Sequence, residues 1–141
     1  MKEANFLLDI AEANESVAVV VAWVYLTSPD VGDVLDELMK RPKLVSIRHQ
    51  VENDTDVSWL SREESVHGLR EVAKRELCYD LLVKSPCLKY VPDLAEKIPE
   101  LRMVVNQIAK PLIAKDIMEP LPEEHTAKFR GGNATDFYGL S

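Results

Sequence analysis

Four segments that are apolar almost throughout constrain the fold most strongly. The first is VAVVVAWVYL, and the other three are KLVSIRH, LCYDLLV and LRMVVNQI. Segments with helical apolar spacing alternate with them. Strands that are apolar on both faces are typical of parallel sheets covered by helices, and alternating helices and strands indicate parallel crossover units. We therefore predict an α/β fold with about four parallel strands and covering helices.

The predicted elements follow one another along the chain. We expect helices in NFLLDIAEAN, SPDVGDVLDELMKRP, SREESVHGLREVAKRE and CLKYVPDLAEKIPE, each before a strand. Ser28 or Asp30 is the predicted cap of the second helix, and Ser61 with Glu64 has the spacing of a capping box. The strands are predicted side by side in chain order, with helices mainly on the convex face, near Val17 to Leu26, Leu44 to His49, Cys78 to Val83 and Leu101 to Val105.

Composition excludes several classes of function. The 141 residues carry a formal net charge of -7, and no cluster of Lys and Arg offers a site for nucleic acid or an anionic membrane. The longest apolar run is about half of what a membrane-spanning helix needs. Two cysteines without CxxC spacing, and no secretory segment, predict a cytoplasmic protein. No GxGxxG or GxxxxGK[ST] motif indicates a dinucleotide or P-loop site.

Polar residues gather at the predicted carboxyl ends of the strands. In a (β/α) barrel the chemistry lies at this rim, because the loops after many strands converge there. A second interpretation is that these residues are solvated strand ends. Asp80 is more unusual, because it lies inside an apolar run, where it either faces a polar site or pairs with a neighbour such as Arg48. The residues at the strand ends are Tyr25, Arg48, His49, Gln50, Lys84, Asn106 and Gln107.

Four ordered segments resemble a known family. They are VAWVYLTSPDVGDVLDELMKRPKLVSIRHQVENDTDVSWL, LCYDLLV, LRMVVNQIAKP and the terminal FRGGNATDFYGL. Together they resemble the amidohydrolase-related, metal-dependent hydrolases of TIM-barrel fold, in the branch of sugar lactonases that act on fuconolactone and rhamnonolactone. The resemblance covers nearly the whole chain and implies hydrolysis of a small sugar lactone.

The family pattern also contains parts that have no counterpart here. The resemblance implies a His-x-His strand before Asn5, and further βα units with a final Asp between Pro111 and Gly131. We therefore expect a partial barrel in residues 1–115, joined to a segment in 116–141 that resembles the closing barrel helix. The family often uses a divalent metal, but the cofactor of this chain is unknown because Asn106 and Gln107 stand where the family carries Asp-His.

The resemblance assigns roles to the surviving positions. His49 and Asp80 are the catalytic candidates, and the substrate-binding candidates are Arg48, Gln50, Asn106, Gln107 and Lys110. No metal ligand set is assigned. The expected function is lactonase-like hydrolysis by a truncated or weakly active form. An alternative is a non-catalytic binding or regulatory partner of a full-length relative, because a partial barrel leaves open strand edges that allow pairing or self-association.

Overall fold

A computed structural model describes residues 1–50, 56–106 and 137–138, except the side chains of Gln50 and Ser85. The chain divides into two units, Met1–Ala109 and Lys110–Ser141. In the second unit the described residues are Phe137 and Tyr138, which are helical, with rings packed edge to face at a centroid distance of 5.0 Å. The predicted boundary after residue 115 lies outside the described residues.

Helices and strands alternate along the first unit, as the sequence predicts. Two 3-10 helices, Trp59–Ser61 and Ser85–Tyr90, precede the third and fourth α-helices. The α-helices and strands, in chain order, are α1 Lys2–Ala13, β1 Val20–Trp23, α2 Val31–Leu38, β2 Leu44–Gln50, α3 Glu63–Lys74, β3 Cys78–Leu82, α4 Val91–Lys97 and β4 Met103–Val105.

The four strands form one parallel sheet in the order β1-β2-β3-β4, which confirms the predicted architecture. The first strand is shorter than predicted, because only Val20–Trp23 pairs with β2, and the last begins at Met103 rather than Leu101. Apolar composition extends past the ends of a paired strand. Val17, for example, packs against the core without belonging to β1.

The core lies between the helices and one face of the sheet. Alternate strand residues, such as Ala22, Ile47 and Tyr79, belong to the same buried cluster as Leu8 of α1 and Leu69 of α3. Because side chains of a strand alternate between faces, the residues between them lie on the opposite face. Residues of that second face are also buried: Ser46 is 0% and Asp80 3% exposed.

The predicted helix caps are only partly correct. Asp30 is the N-cap residue of α2, but its side chain accepts a hydrogen bond from the Ser28 hydroxyl instead of capping the helix. The capping box of Ser61 and Glu64 is wrong, because Ser61 ends a 3-10 helix and Arg62 is the N-cap residue of α3. Ser61, which the spacing to Glu64 assigned to the helix cap, belongs to the 3-10 turn instead.

Asp56 fixes the loop before α3. Its carboxylate accepts hydrogen bonds from the amide and the hydroxyl of Ser58, at 2.8 and 2.6 Å, and from Arg62 Nε at 2.7 Å. The Ser58 donors and the Arg62 guanidinium lower the pKa of Asp56 to about 2. The carboxylate therefore stays ionised well below neutral pH.

A lysine closes the first helix. Lys43 Nζ donates to the carbonyl oxygens of Ala11, Asn14 and Val17 at 2.5, 2.9 and 2.6 Å. These carbonyls lie in the last turn of α1 and in the residues after it, where the helix dipole favours a positive charge. Lys43 therefore joins the turn after α1 to the start of β2.

Arginines join neighbouring helices on the outer surface. Arg75 binds both carboxylate oxygens of Asp36 at 2.7 and 2.9 Å and also Glu71 at 2.7 Å, so it links α2 to the end of α3. The Arg75 guanidinium lowers the pKa of Asp36, and Lys74 and Arg75 lower that of Glu71. Such exposed pairs contribute little stability individually but fix the spacing of the helices.

Two backbone positions are under special constraint. Gly68 of α3 lies so close to the chain after β1 that an added Cβ would be 2.0 Å from the carbonyl oxygen of Leu26. Glu76, just after α3, has a φ of 57°, in the left-handed region that glycine adopts more readily. Gly68 thus sets how closely α3 approaches the carboxyl end of β1.

Candidate functional site

The sheet face opposite the helices carries a row of mixed side chains near the carboxyl ends of the strands. The register pairs Trp23 of β1 with Arg48 of β2, Arg48 with Asp80 of β3, and Asp80 with Val104 of β4. Paired residues of parallel strands project from the same face. An indole, a guanidinium and a carboxylate therefore stand on three consecutive strands.

Asp80 is the centre of a hydrogen-bonded cluster. It is only 3% exposed. Its Oδ1 accepts a hydrogen bond from Ser46 Oγ at 2.6 Å, and its Oδ2 accepts one from Asn106 Nδ2 at 3.1 Å. Donors on both sides offset the cost of burying a carboxylate. These contacts are compatible with both interpretations of Asp80, since its partners are neighbours on β2 and after β4 and are themselves polar.

Arg48 stands beside this cluster with a free donor. Its Nε atom is buried and has no hydrogen-bond partner in the described part of the chain. A buried donor without a partner is costly, and a ligand oxygen that accepts from it removes that cost. The Nε atom of Arg48 is therefore a donor that a ligand oxygen could use.

His49 does not join Asp80. It follows Arg48 by one residue in an extended strand, so its side chain leaves β2 from the opposite face. Its ring stacks on Trp59, with centroids 4.4 Å apart and planes 7° apart, and Nδ1 lies 3.3 Å from the carbonyl oxygen of Val24. The ring and backbone contacts of His49 thus lie at the end of β1 and before α3, whereas the hydrogen bonds described for Asp80 come from β2 and from after β4.

The other predicted site residues are only partly described. Asn106 joins the cluster around Asp80. Gln50 ends β2 and pairs with Leu82. Gln107 and Lys110 lie outside the described residues. Ser46 was missed by the sequence analysis, although its position two residues before Arg48 in a strand places it on the same face.

The described residues do not assemble a metal site. Among residues 1–50, 56–106 and 137–138, no three His, Cys, Asp or Glu side chains form a group that could hold a metal ion.

Two further ionisable groups lie near the middle of the sheet. Burial raises the pKa of the Tyr79 hydroxyl, which is on the helix-covered face, and that of the Cys78 thiol, whose residue pairs with Ser46. Both groups stay protonated at neutral pH. They add no charge next to Asp80.

Surface depressions in the described part of the chain lie away from this cluster. Two of them adjoin between α3 and α4 and share Arg70 and Lys97. Lys97 is paired with Asp93 at 2.7 Å, as expected of an exposed helix surface. In the described residues, no helix is long and apolar enough to cross a bilayer.

The fold and the polar row define the chain as a four-stranded part of a (β/α) barrel with polar groups toward the carboxyl ends of its strands. No family model matches the chain. L-fucono-1,5-lactonase of Burkholderia ambifaria is 31% identical over 113 residues, which cover 80% of this chain and 39% of the relative. An L-fucono-1,5-lactonase of Burkholderia multivorans is 26% identical over 114 residues, with 80% and 38% covered.

A solved structure agrees with these relatives. The crystal structure of an amidohydrolase from Burkholderia multivorans with bound zinc matches with a TM-score of 0.72 and 25% identity, covering 81% of this chain and 40% of that one. The predicted resemblance is confirmed: over four fifths of its length the chain is similar to the amidohydrolase-related, lactonase-like hydrolases. It spans about two fifths of the length of these relatives.

Proposed function

We propose that this chain binds a sugar lactone at the row formed by Arg48, Asp80 and Asn106, and that it is a hydrolase of low activity. The observation that carries the proposal is the buried cluster around Asp80, in a chain whose relatives include L-fucono-1,5-lactonases. A cyclic polyol ester offers hydroxyls for Asp80 and Asn106 and a carbonyl oxygen for Arg48.

The reaction that fits these groups is opening of the lactone by water. The oxygen of a water molecule attacks the carbonyl carbon of the ring while Asp80 accepts a proton from that water. Arg48 stabilises the oxyanion that forms. The bond between the carbonyl carbon and the ring oxygen then breaks, and the ring oxygen takes the proton from Asp80. The product is an open hydroxy acid, whose carboxylate also matches Arg48.

Ser46 contributes by holding the acid–base group. Its hydroxyl donates to Oδ1 of Asp80, and Asn106 donates to Oδ2. The carboxylate is therefore fixed before a ligand arrives, which favours attack in one geometry. Each carboxylate oxygen keeps a second lone pair that can accept a hydrogen bond from a bound water.

Low activity follows from the separation of the two catalytic candidates. His49 points away from Asp80, so one acid–base group serves both proton transfers in the described site. A missing acid–base group costs a factor of about 100 to 10,000. We expect hydrolysis of L-fuconolactone, L-rhamnonolactone and galactonolactone, with zinc or manganese added, to be more than about tenfold slower than that of the Burkholderia ambifaria lactonase.

Binding and turnover are tested on the same purified chain. Calorimetric titration with galactonolactone should give saturable binding, and Arg48→Gln and Asp80→Asn should each weaken it about tenfold or more. Matched controls on exposed helix positions, Arg70→Gln and Asp33→Asn, should leave it unchanged. Equal binding by all four variants would disprove the site, and turnover within about tenfold of the relative would disprove the low activity.

A specific observation also favours a binding partner role. Within the described sheet, β1 and β4 each have one strand neighbour, and Val105 of β4 is 43% exposed. Open edges present backbone donors and acceptors to another strand. Under this second proposal the chain pairs with a full-length relative, which mixing the two proteins and measuring the mass of the product by light scattering would detect. An unchanged mass would exclude it.

A further inference from the structure

Aromatic rings gather at the carboxyl ends of β1 and β2. The ring of His49 lies 4.4 Å from that of Trp59 at 7°, and the ring of Trp23 lies 6.0 Å from that of His49 at 23°. The three rings form a stack that runs from Trp59, which is 2% exposed, to the partly exposed Trp23. Because its inner end is packed in the core, the stack holds Trp23 in one orientation.

A fourth ring continues this group into solvent. Tyr25 is 57% exposed, and its ring lies 6.4 Å from that of Trp23 at 36°. Single exposed aromatic residues are ordinary on protein surfaces. Two adjoining rings, the first of which is fixed from behind, form a surface that suits the flat side of a small ring.

The polar row begins beside these rings. Trp23 pairs with Arg48, and Arg48 pairs with Asp80. Neighbouring strands lie about 4.8 Å apart, so about 10 Å separate the first and third of these residues. A six-membered ring fits that span with its carbonyl near Arg48. Its C–H face would lie on an aromatic ring, and its hydroxyls would reach the polar groups.

We propose that Trp23 and Tyr25 form a stacking subsite for the ring of the lactone, and that His49 is a positioning residue that holds Trp23. This inference rests on the proposed function, because it names how the same site recognises its substrate. It also gives His49 a role on the face where the structure places it. The subsite recognises the closed ring, whereas Arg48 recognises both the ring carbonyl and the carboxylate of the opened product.

Fluorescence isolates the subsite because the chain has two tryptophans. Titration with galactonolactone should change the emission of the full chain with a saturable dependence. The change should persist in a Trp59→Phe variant, where Trp23 is the emitter, and disappear in Trp23→Phe, where the buried Trp59 is the emitter. An emission change that persists in Trp23→Phe and disappears in Trp59→Phe would overturn the subsite.

The affinities of the variants for the lactone and for its open acid distinguish recognition of the ring from recognition of the carboxylate. Trp23→Leu should weaken binding of galactonolactone about three- to tenfold and leave binding of galactonate, the open acid, unchanged, whereas Arg48→Gln should weaken both. Tyr25→Ala changes an exposed position that folding tolerates. It should weaken binding of the lactone about threefold. The circular dichroism of each variant shows that it is folded.

The role of His49 is tested by rescue. His49→Ala should lower the affinity for the lactone and increase the rotational freedom of Trp23, measured as lower fluorescence anisotropy in the Trp59→Phe background. His49→Phe keeps a ring in the stack and should restore both. An Ala variant with unchanged Trp23 anisotropy would overturn the positioning role.

The outcomes distinguish the two proposals. If the chain binds galactonate through Arg48 but Trp23→Leu binds the lactone as tightly as the unaltered chain, the subsite is wrong and the proposed function stands. If the unaltered chain binds neither the lactone nor galactonate, the proposed function is wrong and the subsite with it.

Discussion

Replacement of Gly68 by alanine tests how closely α3 packs on the carboxyl end of β1. The new Cβ would lie 2.0 Å from the carbonyl oxygen of Leu26, 2.8 Å from its carbonyl carbon and 3.1 Å from its Cβ. Protein Cβ atoms essentially never approach other atoms below 3.0 Å, so backbone must move by about 1 Å. A flexible side chain could rotate away, but the carbonyl group of Leu26 is backbone, three residues after the end of β1.

The expected loss of stability follows from two opposed effects. Overpacking costs about 3 kcal/mol, while alanine favours the helix over glycine by about 1 kcal/mol. The free energy of unfolding should therefore fall by about 2 kcal/mol. For a unit of this size the midpoint of thermal unfolding should fall by about 8 to 16 °C.

Gly32→Ala is the matched control. It lies in α2, and the atoms nearest to its added Cβ are Arg75 Nη2 at 3.1 Å and Glu71 Oε2 at 3.3 Å, both at the ends of side chains. Gly32→Ala should therefore be neutral or stabilise by up to about 1 kcal/mol. Urea unfolding of the full chain, followed by far-ultraviolet circular dichroism, measures both variants. A Gly68→Ala variant as stable as Gly32→Ala would refute the close approach of α3 to Leu26.

Three further predictions concern the scaffold of the site. Lys43→Met removes the donor to three carbonyls at and after the last turn of α1 and should lower the free energy of unfolding in urea by about 2 kcal/mol, whereas an unchanged value would show that water replaces the ammonium. Glu76→Gly relieves a positive φ and should raise the unfolding free energy by about 1 kcal/mol; a decrease would contradict the strain. The pKa of Asp56 lies at about 2 instead of 3.8, because Ser58 and Arg62 stabilise the carboxylate. Its contribution to stability is therefore complete above pH 3.8 and lost as the pH falls through about 2. As the pH falls from 3.8 to about 2, the free energy of unfolding should decrease less for Asp56→Asn than for the unaltered chain. Equal decreases would contradict the lowered pKa of Asp56.

The sheet could be predicted from the sequence because its strands are buried on both faces. Continuous apolar runs such as the one around Tyr79 indicate this burial directly, and their alternation with helices implies the parallel order. Strand ends were less predictable, since Val17 is apolar for packing against the core rather than for pairing with β2. The capping box failed because Trp59 begins a 3-10 turn that the spacing of side chains does not reveal.

The site was predictable residue by residue but not in its grouping. Polar residues inside or after apolar runs suggested Arg48, Asp80 and Asn106, because such residues are costly inside a sheet. Whether Arg48 or His49 faces Asp80 depends on the register between β2 and β3, and the sequence of one strand carries no information about that register. Ser46 was overlooked for the same reason, because its hydroxyl reaches Asp80 only when β2 and β3 pair in this register.

The hydrogen bonds of Asp80 have a consequence for folding. Their donors come from β2 and from the residue after β4, so the cluster closes only when three strands are aligned. A slip of one residue in either pairing would turn the partners to the other face and leave a buried carboxylate without donors. The cluster therefore stabilises the correct strand register relative to misaligned ones. It penalises misaligned sheets at the very position where a ligand would bind, so a chain that reaches its stable fold has already assembled these groups.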